Sequence, residues 1–187
     1  MDKKRCFWVN LSSHEYVKYH DEEWGVPVYD DKKLYEMFLL ETFQAGLSWI
    51  TILKKRENFR NAFDEFDVEK VANYQEEKIE ALMKDTGIIR NRKKIEAAVK
   101  NSRIFMEIQK DYGSFSDFLW SFTSGKVIMN ETDEFPVKTS LSDQVSKEMK
   151  RRGMAFTGSV TIYSYLQAVG VVNDHELSCF CRTRNEK

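Results

Sequence analysis

The stretch Asp30-Asp-Lys-Lys-Leu-Tyr-Glu-Met-Phe-Leu-Leu-Glu-Thr-Phe-Gln-Ala-Gly-Leu-Ser-Trp-Ile50 reads as a helix that starts on a carboxylate cap. Asp30 or Asp31 has the short acceptor side chain that first-turn amides need. At ~100° per residue, Leu34, Met37, Phe38, Glu41 and Ala45 fall on one arc, the kind a core covers. Glu41 sits in the middle of that arc. A buried carboxylate without a partner is costly, so an arginine must pair with it or a site must use it. Gln44-Ala45-Gly46 interrupts the helical pattern, which runs on to about Lys54, with a second helix beginning near Ser48.

Outward from this stretch the chain keeps the same character. Helices are predicted over Val68 to Lys84, Arg92 to Met106, Phe115 to Phe122 and Ser159 to Ala168, with Gly87 separating the first two and Gly170 stopping the last. Ser140 starts another, with Asp143 in capping-box position, Leu141, Val145 and Met149 spaced by four, and Gly153 as its end. Ser124 to Thr139 reads as a long polar loop, and the first thirty residues as a short helix plus ordered loops rich in aromatics. With two prolines and eight glycines there is little material for a many-turned β-sandwich, and the balance tilts to helix.

The 187 residues fit one domain, or one domain with a small appendage. No apolar run is long enough to span a membrane, and Met1-Asp-Lys-Lys-Arg-Cys-Phe-Trp has no apolar signal region, so a cytoplasmic location is expected. Three cysteines in such a compartment are free thiols or metal ligands. A net charge of −1 disfavours indiscriminate nucleic-acid binding but leaves room for a local basic face. Lys54-Lys-Arg56, Arg90-Asn-Arg-Lys-Lys94 and Lys150-Arg-Arg152 are the basic runs, the last two being the preferred groove and phosphate neighbours and each having a solvated helix end as the plainer reading.

All the cysteines and histidines cluster at the two ends: Cys6, His14 and His20, then His175, Cys179 and Cys181. Thiolate and imidazole are the donors that Zn2+ prefers, usually four in a structural site. His175 and Cys179, four apart, would face one ion from a helical turn, and Cys6 and His20 could complete the set. The spacing equally allows ordinary buried residues, since no compact Cys-x-x-Cys is present. His14, in a polar stretch, is expected in solvent, and Cys181 is a core filler or a neighbour of the cluster. Aromatics concentrate around Tyr19 to Pro27 and Leu40 to Ile50. Rings such as Trp24 and Trp49 can stack on a base extruded from DNA, although core packing is the commoner fate of tryptophan.

Four segments in order, Tyr19-His-Asp-Glu-Glu-Trp-Gly-Val-Pro27, Gln44-Ala-Gly-Leu-Ser-Trp-Ile-Thr-Ile-Leu-Lys-Lys-Arg56, Gly87-Ile-Ile-Arg90 and Val172-Asn-Asp-His175, resemble the bacterial 3-methyladenine DNA glycosylase I family, of constitutive type, over nearly the whole chain. The resemblance implies an all-α helix-hairpin-helix glycosylase fold. It implies a single domain over residues 1–187, with the hairpin motif at about 151–175 and the chain ends joined by one structural zinc ion. It puts Cys6, His20, His175 and Cys179 at the zinc-ligand positions, Glu41, Tyr19 and Trp49 in the base pocket, and Trp8 and Trp24 as further walls. Glu41 takes the catalytic role in that reading. Gln44 matches the position that fills the gap left by the extruded nucleotide. The hairpin and following helix put Gly158, Ser159 and Thr161 at the DNA, where a glycine lets backbone approach a phosphate and helix-opening amides bind it.

The implied activity is hydrolysis of the N-glycosidic bond of 3-methyladenine in double-stranded alkylated DNA, by a monomer, with an abasic site left behind. The lesion is already cationic, so selection against neutral adenine is the harder task, and stacked rings with a carboxylate meet it through charge. Asp174 lies near the place where many helix-hairpin-helix glycosylases carry an aspartate for the cationic sugar, although this family is generally held to lack it. A non-catalytic zinc-stabilised DNA-binding module is the alternative from another class; it leaves Glu41 unexplained. A zinc hydrolase is weaker still, because four protein ligands leave no open position for water.

Overall fold

Asp30 accepts a hydrogen bond from Lys33 N, and helix α2 (Asp31–Gln44) follows as the sequence pattern predicts. Its burial goes further than one arc. Every residue from Leu34 to Phe43 is buried, so α2 is enclosed on all sides, as a helix at the centre of a bundle must be. Helices α3 (Trp49–Ala62), α6 (Arg92–Tyr112), α7 (Phe115–Ser121) and α9 (Ser159–Ala168) pack around it. The structure, a computed structural model, describes residues 3–185; residues 1, 2, 186 and 187 of the expected domain lie outside the described residues.

Around this centre, α1 (His14–Glu22) lies on α3, α4 (Val68–Ala72) and α5 (Glu76–Lys84) lie on α6, and α8 (Ser140–Arg151) lies on α9. The chain is mostly helical. Tyr35, Phe38, Phe43, Phe59, Phe63, Phe105, Phe115 and Tyr165 fill the interior with edge-on and stacked ring pairs.

Several expected boundaries move. Val68 to Lys84 is two helices, α4 and α5, broken at Asn73–Gln75. Asn73 turns its amide back onto Glu69 O at 2.8 Å and Tyr74 bonds Asp64, a break that hydrophobic periodicity without glycine or proline does not register. Helix α6 runs six residues past Met106 and ends at Gly113, whose φ of +94° suits a glycine. Helix α8 does start at Ser140, but its capping box is Thr139 with Ser142, one residue ahead of the Ser140–Asp143 pair expected. Within the expected loop 124–139, β1 (Ile128–Met129) pairs in parallel with β2 (Val172–Asn173), Ile128 opposite Val172 and Met129 opposite Asn173. That short bridge brings the loop beside the segment that carries His175.

Gly170 ends α9 at φ +70°. A Cβ there would stand 2.2 Å from the Val26 carbonyl carbon, so the N-terminal strap can cross the end of α9 only over a glycine.

Candidate base pocket and metal centre

Helices α1, α2, α3 and α9 and the strap 6–8 enclose a cavity of about 240 Å3, lined by Phe7, Trp8, Tyr16, Tyr19, Trp24, Glu41, Gln44, Trp49, Phe135, Ser164 and Gln167. Tyr19 and Trp49 stand 5.3 Å apart between ring centroids at 54°, tilted rather than parallel. Trp8 meets Trp24 edge-on at 4.9 Å and Tyr16 at 5.7 Å. Glu41 is 3% exposed. No arginine pairs with it, and among the described residues nothing donates a hydrogen bond to it. Burial alone pushes its carboxyl up to about 8. Trp49 Nε1, a buried donor in the same wall, finds no acceptor among the described residues. A donor and an acceptor without partners, lining one cavity, are a recognition surface for a polar, flat guest.

All five residues expected at the base pocket, Glu41, Tyr19, Trp49, Trp8 and Trp24, line this one cavity, as does Gln44. Sequence reading missed Tyr16, although it lies three residues before Tyr19 on the same face of α1 and could have been found by helical spacing. Phe7, 73% exposed, and Phe135 meet edge-on at 5.2 Å at the cavity's edge. Phe135 had no local signal, because the β1–β2 bridge brings it there. Ser164 and Gln167, three apart on α9, were also missed.

Asp174 lines a different cleft, of about 620 Å3, between β1 and the start of α8. Its Oδ2 accepts from Tyr163 Oη and Gln167 Nε2, both at 2.5 Å, and its Oδ1 has no partner among the described residues. It reaches the Glu41 cavity only through Gln167.

The end-to-end cluster forms. Cys6, His20, His175 and Cys179 are all buried, with their four donor atoms within 4.8 Å of one another. Cys6 Sγ to His175 Nδ1 is 3.4 Å, and Cys179 Sγ is 3.5 Å from both His175 Nδ1 and His20 Nε2. Zn–S of about 2.3 Å and Zn–N of about 2.05 Å at tetrahedral angles give an S···N edge of about 3.6 Å, so the donor set fits such an ion. The outward nitrogens are also held. His20 Nδ1 faces Asp21 Oδ1 at 2.8 Å and His175 Nε2 donates to Trp24 O at 3.0 Å, as outer partners of metal-binding imidazoles do. Arg5 in turn fixes Asp21 at 2.6 Å. His175 and Cys179 approach from an irregular turn rather than the helical turn expected, Cys179 N donating to Glu176 O. His14 is exposed, as expected, and Cys181 is a buried neighbour 4.0 Å from His20 Nδ1.

Several cations of the basic runs also take part in ion pairs within the fold. Arg56 is bonded to Glu23 and Glu36, Arg92 to Glu76, Glu80 and Glu96, Arg151 to Glu148, and Arg152 to Asp111 and Glu148. Lys94 is buried. Lys54, Arg90, Lys93, Lys150 and Arg151 are exposed. Helices α8 and α9 pack together across the 152–158 turn, and Gly158 caps α9 with no side-chain cap bond; Ser159 Oγ meets Ser142 Oγ at 2.8 Å.

The geometry defines a class first: a helical protein that keeps an uncompensated carboxylate inside an aromatic cavity braced by a Cys2His2 cluster. The chain belongs to the methyladenine glycosylase family, whose profile matches residues 8–182. It is 48% identical over 186 residues to DNA-3-methyladenine glycosylase 1 of Escherichia coli (strain K12), covering 98% of this chain and 99% of that one. It is 46% identical over 182 residues to the DNA-3-methyladenine glycosylase of Haemophilus influenzae, covering 96% of this chain and 98% of that one. A crystal structure of 3-methyladenine DNA glycosylase I superposes with a TM-score of 0.92 at 47% identity, over 96% of this chain and all of the other. A Staphylococcus aureus 3-methyladenine DNA glycosylase I, solved to explain 3-methyladenine recognition, superposes at 0.91 with 38% identity, over 95% of this chain and 96% of that one. No helix among the described residues is long and apolar enough to cross a membrane.

Proposed function

We infer that this chain is a DNA-3-methyladenine glycosylase, and one observation carries the reading: Glu41, buried, unpaired and walled by Tyr19 and Trp49. The methylated base enters as a cation. Its charge meets ring faces worth about 0.5–2 kcal/mol each, and a Glu41 carboxyl that burial keeps neutral in the empty pocket and that the arriving cation draws to ionise. Neutral adenine offers neither. Trp8, Trp24 and Tyr16 close the cavity around it. Hydrolysis adds water to C1′ of the sugar and breaks the C1′–N bond. The bonding electrons leave on the purine, which departs as neutral 3-methyladenine, and the proton of the water goes to solvent. Glu41 acts by holding the cationic base while the sugar becomes electron-poor, so its contribution is electrostatic.

The substrate on this reading is double-stranded alkylated DNA and the working unit a monomer of one domain in the cytoplasm. The hairpin motif covers about 151–175. Gly158 supports phosphate approach there: its φ is −62° and a Cβ would meet nothing, so the fold itself gives no reason for a glycine. The amides opening α9 at Ser159 and Thr161 would bind a phosphate as helix N-termini do, and Gln44 would fill the vacated stack. Cys6, His20, His175 and Cys179 would hold one structural Zn2+, which when bound supplies a cross-link between the chain ends and no chemistry on DNA.

Incubating the protein with methylated duplex DNA and identifying the freed purines by chromatography tests the reading. Release of 3-methyladenine is expected; binding without release would favour a DNA-binding module instead. Chelation should lower the melting temperature of the whole fold, and Cys6→Ala should lower metal stoichiometry from one per chain. A chelated protein that stays folded and loses only activity would sink the structural role.

A further inference from the structure

Lys94, the third residue of α6, is 7% exposed and faces no carboxylate among the described residues. Its Nζ donates to Phe43 O at 2.7 Å and to Ala45 O at 2.6 Å, carbonyls at the end of α2 that the helix cannot satisfy itself. The same ammonium lies 5.8 Å from the ring centroid of Phe156, in the turn between α8 and α9. Phe156 adopts φ +57°, uncommon for a residue with a side chain. Seven residues on, two turns along the same face of α6, Asn101 is 2% exposed. Its Nδ2 donates to Ala155 O at 2.9 Å and its Oδ1 accepts from Ala155 N at 2.8 Å. One face of one helix therefore grips two turns that carry no regular structure of their own.

A buried ammonium without a counter-charge is an expensive way to fill space, and an apolar side chain would pack there at less cost. What the ammonium does that an apolar chain cannot is hold two carbonyls and an aromatic face at once. We propose that Lys94 and Asn101 are positioning residues that fix the Gln44–Leu47 turn and the Arg152–Gly158 turn as one rigid DNA-contacting unit. The inference rests on the glycosylase reading, in which the first turn fills the stack and the second meets the backbone. Gln44 Nε2, bonded to Leu47 O at 2.8 Å, keeps the first turn's shape, and Lys94 keeps its place.

The test separates DNA engagement from the pocket. Affinity is measured for a duplex holding a stable abasic-site analogue, and separately for free 3-methyladenine by tryptophan fluorescence. In Lys94→Met and in Asn101→Ala, duplex affinity is expected to fall about tenfold or more, the scale of one charge-assisted hydrogen bond, with free-base affinity within about twofold. Lys94→Arg, which keeps the donors, should recover part of the loss. Unchanged duplex affinity in both Lys94→Met and Asn101→Ala overturns the proposal, and so does a parallel loss of both affinities, which marks a purely structural role. Failure of the unsubstituted chain to release 3-methyladenine would sink the glycosylase reading instead. The duplex-to-free-base comparison between variants decides the two positioning residues by itself.

Discussion

Helix α2 carries two buried carboxylates five residues apart, and they meet opposite fates. Glu36, 5% exposed, is gripped by Arg56 at 2.7 Å, Arg60 at 3.0 Å and Lys33 at 3.4 Å. Glu41, 3% exposed, has none of this. The first belongs to an ion cluster that ties α2 to α3 and, through Arg56 and Glu23, to the end of α1. The second pairs with no cation among the described residues. Depth is the same in both, so burial by itself marks nothing; a carboxylate left uncompensated is what marks a site.

Removing each charge should therefore act in opposite directions. Glu36→Gln weakens the buried cluster, leaving Arg56 to Glu23 and Arg60 to Glu57, at about 1–3 kcal/mol of stability, read as a lower denaturation midpoint. Excision per folded molecule should survive. Glu41→Gln should lower excision by roughly 10²-fold, the scale of losing one preorganised electrostatic contact, in single-turnover kinetics on methylated DNA. Equal activity in the two variants would erase the distinction between the carboxylates.

The same substitution at Glu41 should raise stability in alkaline solution. Its carboxyl titrates near 8 when folded against 4.5 ordinarily, so between those values the folded state binds the extra proton and stability falls as pH rises, levelling above about 8. Glu41→Gln removes that loss, a gain of up to about 5 kcal/mol at pH 9 on the scale of 1.4 kcal/mol per pKa unit. Glu23 runs the other way. Burial raises its carboxyl, but the Arg56 guanidinium outweighs this and Lys33 adds to it, leaving about 2. Its stabilisation is full above 4.5 and is lost as pH falls toward 2. Melting curves of parent and Glu41→Gln should thus coincide near pH 4 and separate above it. The smallest effect expected is at the walls. Trp49→Leu, which keeps bulk without a π face, should weaken free 3-methyladenine binding by about 0.5–2 kcal/mol, measured by calorimetry.

Much of this contrast was legible in the sequence. Asp30 as cap, Glu41 out of place on an apolar arc, and thiols and imidazoles confined to the chain ends are local facts of spacing, and the structure agrees with each. What failed needed the third dimension. Arg56 and Lys94 look like members of solvated basic runs because charge is visible in sequence and the groups that absorb it are not: Glu23 and Glu36 lie 33 and 20 residues from Arg56. Phe135 reaches the cavity's edge on a loop held by a two-residue parallel bridge between segments 44 residues apart and by Leu177 N donating to Asp133. Gln167 acquires its place from α9 packing on α2, and no motif announces it.

The four-donor cluster has a consequence for the order of events in the cell. Cys6 and His175 are separated by 169 positions. At a synthesis rate of roughly 5–20 residues per second, the early pair of donors waits on the order of ten seconds for the late pair. Through that interval the Cys6 thiol stands open to oxidants, and Trp24, which in the finished protein rests against His175 at 4.7 Å, lacks that backing. This side of the aromatic cavity is thus among the last parts of the nascent molecule to set, because it leans on a residue from the far end of the chain.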